Sequence, residues 1–302
     1  MAFVQANVNY ATQYAQDLAN AYPYLSYFGA IYGGANSSKY RPVMGKTVAI
    51  PSLSVSGAVA ADRDSLSGQF SRNWNNAWQT VTCQQDREWS TLIDPLDIVE
   101  TNDIATIANV TKTFNEQQKV PEMDAFMAAT LATAAIANSK YDTTSLNSSN
   151  ILGQWDTYLS TLANARINRD RVIAYMIPSV YKLLKEAAGI TRFIDAGTGI
   201  RNVDSNVGRL DGVTIVEIPA DLMRTAYDFD EGWAVADGAG QVNILFVDPE
   251  AVAAPVVYDT AMVSAPTAQS KGKYIYYERF YYGAFVLGER KAGVYINYTA
   301  NP

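Results

Sequence analysis

The stretch Val120-Pro121-Glu122-Met123-Asp124-Ala125-Phe126 carries the strongest helix signal in the chain. Proline has no backbone N–H to lose in a first helical turn and its φ is already set, so Pro121 predicts a helix start. Glu122 and Asp124 fall in the first turn of such a helix, where carboxylates complement the positive end of the dipole. Met123, Phe126, Met127, Leu131 and Ala134 follow at helical spacing and predict its inner stripe. Just upstream, Asp103 predicts the N-cap of a separate helix with the stripe Ile104, Ile107, Thr111 and Phe114. Downstream, the Ser/Asn/Thr-rich residues Asn138 to Asn150 read as a linker.

On the N-terminal side, Val48-Ala49-Ile50 with Leu53-Ser54-Val55, and Trp78 to Cys83, read as two strands flanking a polar tip from Gly57 to Asn76. A two-stranded hairpin alone is marginal in water, so this excursion must lie on its own core or on another subunit. Residues 1 to 61 carry only Asp17, Lys39, Arg41 and Lys46 as charges, yet seven tyrosines occur in the first forty positions. Tyr10, Tyr14, Leu18, Ala21 and Leu25 share one face of a helix. That face packs on its own domain or forms an arm on neighbouring subunits, where tyrosine is favoured.

Past the linker, Ile151 to about Ala165 reads as helix, Arg171 to Pro178 as a buried strand, and Ser179 to Ala188 as a helix stopped by Gly189. Gly212 to Pro219 and Gln241 to Val247 are two further strands. Between them, the loop Ala220 to Gly240 holds Asp228, Asp230, Glu231 and Asp237. Lys273 to Asn297 predicts a closing hairpin with its turn at Gly288-Glu289-Arg290. Alternating strands and helices indicate a mixed α and β chain.

Composition excludes several classes of function. The 302 residues contain 23 basic and 30 acidic side chains, a net charge of −7, so phosphate neutralisation by excess Lys and Arg is not available. There is no histidine and one cysteine, Cys83, which rules out an intrachain disulfide, a Cys/His metal site and a Ser-His or Cys-His nucleophile. Gly45-Lys46-Thr47 ends like a phosphate-binding loop, but Tyr40 stands where the first glycine belongs and a strand follows. Asp228-Phe229-Asp230-Glu231 lacks the spacing of a calcium loop and reads as a solvated acidic loop. Nothing places Asp94 and Asp97 in one cleft as acid and base. No catalytic, cofactor or metal site is expected. The first basic residue is Lys39 and no apolar run matches a membrane span, so the expected product is soluble and intracellular.

Four blocks in sequence resemble the major capsid proteins of tailed bacteriophages. These are Asp97-Ile98-Val99-Glu100-Thr101-Asn102 before Val120-Pro121-Glu122-Met123-Asp124-Ala125; Arg171 to Ala187; Gly212 to Pro219 with Gln241 to Pro249 as paired strands; and Glu278-Arg279-Phe280-Tyr281-Tyr282 leading to Phe285-Val286-Leu287. The resemblance covers about two thirds of the chain and lies in the order of the blocks.

The resemblance implies an α+β fold of the Hong Kong 97 type: an N-terminal arm at 1–46, an extended hairpin loop at 47–89, a peripheral domain with a long spine helix at 90–141, an axial domain at 142–262, and a return to the peripheral domain at 263–302. It also implies a head shell of hexamers and pentamers of this chain around double-stranded DNA. The other partners would be a separate scaffolding protein (if Met1 is the translational start), a portal protein and a decoration protein. DNA would be touched only non-specifically, and assembly would occur in the host cytoplasm. Expected intersubunit contacts are Tyr10, Tyr14, Asp62, Arg63, Asp64, Arg72, Asp228, Asp230 and Glu231. No lysine lies between Lys46 and Lys112, so a covalent cross-link from the extended loop lacks its nucleophile. Alternatives are another self-assembling phage part, a tail tube or decoration protein, or a carboxylate hydrolase using the 220–240 loop.

Overall fold

The computed structural model describes residues 26–34, 41–44, 47–58, 74–100, 106–187, 193–195, 202–204 and 208–301. Its backbone feature of greatest consequence is one rod, Ile107 to Ala137, 31 residues long. The rod opens at Thr106, whose side-chain oxygen accepts the Asn109 N–H at 3.3 Å; Asp103, expected as the cap, lies outside the described residues. It closes at Asn138, whose side-chain amide donates to the Ala134 carbonyl at 2.7 Å.

The two helices expected on either side of Pro121 are therefore a single element, and Pro121 is not its start. A proline inside a helix cannot donate to the carbonyl four residues back, and its ring crowds that carbonyl. Here the preceding turn, Asn115–Lys119, is a π-helix, in which the Val120 N–H reaches back to Asn115. This widened turn takes up the disruption, and the helix runs on as Val120–Ala137.

From Glu122 to Ala128 every residue is buried, so the rod is enclosed all round here and not along one stripe. By length and apolarity it could cross a bilayer, but two thirds of its most apolar window is buried inside the protein, which marks it as a core helix.

Among the described residues three sheets have three or more strands. A long antiparallel sheet has Tyr274–Tyr282 at its centre, with Val256–Ser264 on one side and Gln85–Ile93 on the other. A six-stranded mixed sheet runs in the order Tyr141–Asp142, Val294–Thr299, Gln241–Val247, Ile173–Met176, Val213–Glu217, Arg209–Leu210. The helices Ile151–Asn164 and Pro178–Glu186 pack against it, with Trp155 meeting Phe246 at 5.0 Å between ring centres.

The third sheet is the ribbon predicted from sequence: Thr47–Val55 and Trp74–Thr82 pair antiparallel in unbroken register, and Arg41–Met44 adds a third strand. Cys83, buried at the end of the ribbon, marks where the chain turns into Gln85–Ile93.

Three expectations on pairing are corrected. Val213–Glu217 and Gln241–Val247 do not pair with each other, because Ile173–Met176 lies between them, parallel to the first and antiparallel to the second. The expected closing hairpin is absent: Tyr274–Tyr282 belongs to the long sheet, whereas Val294–Thr299 crosses to pair with Gln241–Val247. The linker after Asn138 contributes Tyr141–Asp142 as an edge strand. In the first two cases the local strand signal is correct but the partner is non-local, and in the third a strand lies inside a stretch read as linker.

Candidate functional site

Three charges of the rod, Lys119, Glu122 and Asp124, sit in an otherwise apolar run, and all three are buried. An unpaired buried charge is costly, so each must bring a partner with it. Their partners lie on three different parts of the chain.

Lys119 pairs with the fully buried Glu278 and lies 3.5 Å from Asp259, both on the long sheet, with the Phe280 ring 4.2 Å beneath its ammonium. Asp259 opposes Phe280 across the strands and Ala261 opposes Glu278. Register therefore places both carboxylates on the face that meets the rod. The Tyr276 hydroxyl donates to the other Glu278 oxygen at 2.8 Å.

Glu122 accepts from Arg87 Nε at 2.8 Å and from a terminal guanidinium nitrogen at 3.1 Å, a two-pronged pair, and from the Tyr282 hydroxyl at 3.0 Å. Burial raises the Glu122 pKa by more than Arg87 and Tyr282 lower it. Arg87 gives two further N–H groups to the carbonyls of Phe229 and Gly232. One guanidinium thus joins the long sheet, the rod and the 227–235 hairpin.

Asp124, 1 % exposed, takes three donors from the segment entering the short helix Gly29–Tyr32: Ser26 Oγ at 2.5 Å, and the backbone N–H groups of Tyr27 at 2.9 Å and Phe28 at 3.4 Å. Burial pushes its pKa up to about 6 against the lowering effect of these donors. The two acids are therefore tertiary anchors and not the first-turn complement to a dipole. The signal available in the sequence was their position among Val120, Met123, Ala125 and Phe126, residues that leave no solvated face.

The ribbon is the reverse case. Leu53, Val55, Trp74 and Trp78 are 64 %, 72 %, 51 % and 52 % exposed. Val55 lies opposite Trp74 and Leu53 opposite Asn76, so the period of two puts Leu53, Val55, Trp74 and Trp78 on one face. An exposed contiguous apolar face of this kind marks an interaction surface.

Of the residues expected in contacts, Tyr10, Tyr14, Asp62, Arg63, Asp64 and Arg72 lie outside the described residues. Asp228, Asp230 and Glu231 are exposed together at the tip of the hairpin Tyr227–Asp228 with Ala234–Val235. The Asp228 carboxylate accepts the Asp230 N–H at 3.0 Å, which shapes the turn. Phe229 turns inward and meets Phe126 edge-on at 6.0 Å. No cluster of three or more His, Cys, Asp or Glu side chains fit for a metal occurs among the described residues.

The fold thus combines a buried rod, a long antiparallel sheet, a six-stranded mixed sheet and a ribbon with an exposed apolar face. No protein family profile and no curated protein matches this chain in sequence. Solved structures do match in fold. A structure from Mycobacterium phage Che8 superposes with a TM-score of 0.56 at 17 % identity, covering 84 % of this chain and 85 % of that one. The mature capsid of bacteriophage PhiM1 gives 0.59 at 13 % identity, covering 85 % and 83 %. The capsid of cyanophage P-SCSP1u gives 0.56 at 13 % identity, covering 86 % and 85 %. Agreement over more than four fifths of each chain shows a shared fold, and its mixed α and β class is the one expected from the sequence.

Proposed function

We propose that this chain is a major capsid protein that self-assembles into the icosahedral head shell around the double-stranded DNA of a tailed bacteriophage. One observation carries the reading: on a phage-capsid fold whose charged anchors are internally satisfied, the ribbon holds its apolar face outward. Copies of the chain are the partners that would cover it, in a head-to-tail contact that closes by symmetry. The role is structural and not catalytic. The protein would reside in the virion after assembly in the host cytoplasm, with scaffolding, portal and decoration proteins as further partners and with DNA touched non-specifically, as its net charge of −7 suits.

The division into arm (1–46), extended loop (47–89), peripheral domain (90–141), axial domain (142–262) and return (263–302) is part of this proposal. On that division the return segment supplies Tyr274–Tyr282 to the sheet against the rod and Val294–Thr299 to the six-stranded sheet. Asp228, Asp230 and Glu231, with Tyr10, Tyr14 and the charged ribbon tip, would make contacts between subunits.

Light scattering after size-exclusion chromatography, with negative-stain imaging, tests the reading. Capsomers or closed shells are expected, from the chain alone or with a scaffolding partner. Tubes would favour a tail protein. A monomer at every concentration and salt would overturn self-assembly.

A further inference from the structure

The cluster around Lys119 contains more than an ion pair needs. Its ammonium is 1 % exposed and meets two carboxylates, Glu278 and, at 3.5 Å, Asp259. One carboxylate neutralises one ammonium, so the second leaves a surplus negative charge where water is scarce, which is costly. The Phe280 ring, 4.2 Å from the ammonium, keeps water from another side.

The two acids differ in their surroundings. Glu278 is fully buried, and the Tyr276 hydroxyl holds its second oxygen at 2.8 Å, leaving the first for Lys119. Asp259 stands on the edge strand Val256–Ser264 with its side chain 40 % exposed. With Lys119, Val120 and Phe280 it lines a mainly apolar cavity of about 260 Å³. Despite its opening to solvent, the Asp259 pKa is raised, first by loss of surrounding water and then, against the lowering effect of Lys119, by the Glu278 charge. An amine, a carboxyl that favours its protonated form and a second carboxylate to carry protons are the components of an amide condensation.

We propose that Lys119 and Asp259 condense into an intrachain isopeptide bond that staples the rod to the edge of the long sheet, with Glu278 as the proton carrier. Glu278 takes a proton from the Lys119 ammonium, and the freed Nζ lone pair attacks Cγ of the protonated Asp259 carboxyl. The C–N bond forms and the C–OH bond breaks. The hydroxyl leaves as water with one ammonium proton delivered by Glu278, the amide keeps a second, and the third remains on Glu278. One amine and one carboxylic acid become one amide and one water, so the balance needs no oxidant, reductant or co-reactant.

The setting favours this direction. A buried ammonium and carboxylate become a neutral amide and a neutral acid, which removes the desolvation cost of the ion pair. Groups held about 3 to 3.5 Å apart in a fixed arrangement react at high effective concentration, which offsets the lack of an activated acyl group. The exposed edge of Asp259 gives the product water a way out. The bond forms once per chain, lies within one subunit and does not rest on the capsid reading.

Mass spectrometry of the purified, unassembled full chain under denaturing conditions tests the bond. Wild type should be lighter than its sequence by the mass of one water. Trypsin should fail to cut after Lys119, and peptide 113–140 should be recovered joined to peptide 225–271, with fragmentation placing the link between Lys119 and Asp259. Lys119→Arg keeps a cation beside Glu278 but removes the amine, and Asp259→Ala changes a partly exposed edge position; both should show the full mass of their sequences. Wild type at full sequence mass, cut normally after Lys119, would overturn the proposal and leave the cluster an ion pair. A link to Glu278 in place of Asp259 would also overturn it, because the two acids would then have exchanged roles.

Discussion

The middle of the rod and the outer half of the ribbon invert each other. Residues 119–128 place Lys119, Glu122 and Asp124 inside the protein with their partners, whereas Leu53, Val55 and Trp78 stand in solvent on the ribbon. A single folded chain ordinarily does the opposite with both kinds of side chain. Buried charges that bind three separate parts of the chain specify how one subunit is put together. Exposed apolar residues on a projecting two-stranded ribbon gain nothing within that subunit. The contrast separates what folds this chain from what would join it to others, and each half can be attacked independently.

The largest effect is expected at the anchor. Glu122→Ala leaves Arg87 and the Tyr282 hydroxyl facing a gap, and breaking a buried charged pair from one side typically costs about 3 to 5 kcal/mol. Urea unfolding of the subunit should register a loss on that scale, and assembly should fail with it. A change under about 1 kcal/mol would mean that the rod is not held at Glu122, and the contrast would collapse from the buried side.

Next in size is the pH dependence of subunit stability. Asp124 has its folded pKa raised, mainly by burial, from 3.8 to about 6. A carboxyl raised on folding gives stability that is full below its unfolded pKa and is lost as pH climbs through its folded pKa. That interval corresponds to at most roughly 3 kcal/mol lost between about pH 4 and pH 7. Glu122 acts in the same direction. Asp142 opposes them: burial raises its pKa, but donors from Tyr158, Thr144 and Asn297 outweigh this and the net shift is downward, so its contribution fades on acidification. Chemical unfolding from pH 4 to 8 should therefore show greatest stability on the acid side of neutrality. Asp124→Asn should flatten the decline toward pH 7; an unaltered decline would assign it to other groups.

On the exposed side, Trp78→Ser with Leu53→Ser removes apolar area without opening a cavity in the subunit. Unfolding free energy should move by no more than about 0.5 kcal/mol, as for ordinary surface changes. Association should weaken by about 1.5 to 3 kcal/mol per apolar side chain buried at a contact, read as a concentration threshold for assembly raised at least about tenfold. Unchanged assembly would show that the ribbon face is not a contact, and reduced subunit stability would show that it is not independent of the core.

How much of this was legible in the sequence depended on how local each signal is. The ribbon strands, the helices Ile151–Asn164 and Pro178–Glu186, and the strand Gln241–Val247 lie where periodicity and turn residues put them. Pro121 misled because a proline at a helix start and a proline accommodated by a π-turn look alike in sequence; the difference lies in how Asn115–Lys119 is wound. The partners of Lys119, Glu122 and Asp124 could not be read at all, since Glu278 and Ser26 are 159 and 98 residues away along the chain. Asp228, Asp230 and Glu231 were found as an acidic loop, but Arg87, which holds that loop to the rod, carried no motif.

The smallest expected effect sharpens the contrast at the ribbon's far end. Asp62, Arg63, Asp64 and Arg72 belong to the tip between the two ribbon strands, outside the described residues, in a neighbourhood that otherwise lacks charge. Opposite charges there suit pairing across a subunit boundary and would fix how far one ribbon reaches over its neighbour. Such pairs in solvent contribute only ~0 to 1 kcal/mol each, and less as salt rises. In a shell the same small difference recurs at every copy, so a change too small to detect in one subunit accumulates over the particle. Replacing Arg63 and Arg72 by Ala should leave the circular dichroism and unfolding of the subunit unchanged. Shell yield, or the temperature at which shells dissociate, should fall, with the difference from wild type narrowing at high salt. Shells of equal yield and equal dissociation temperature at low salt would confine the ribbon's contribution to its apolar face.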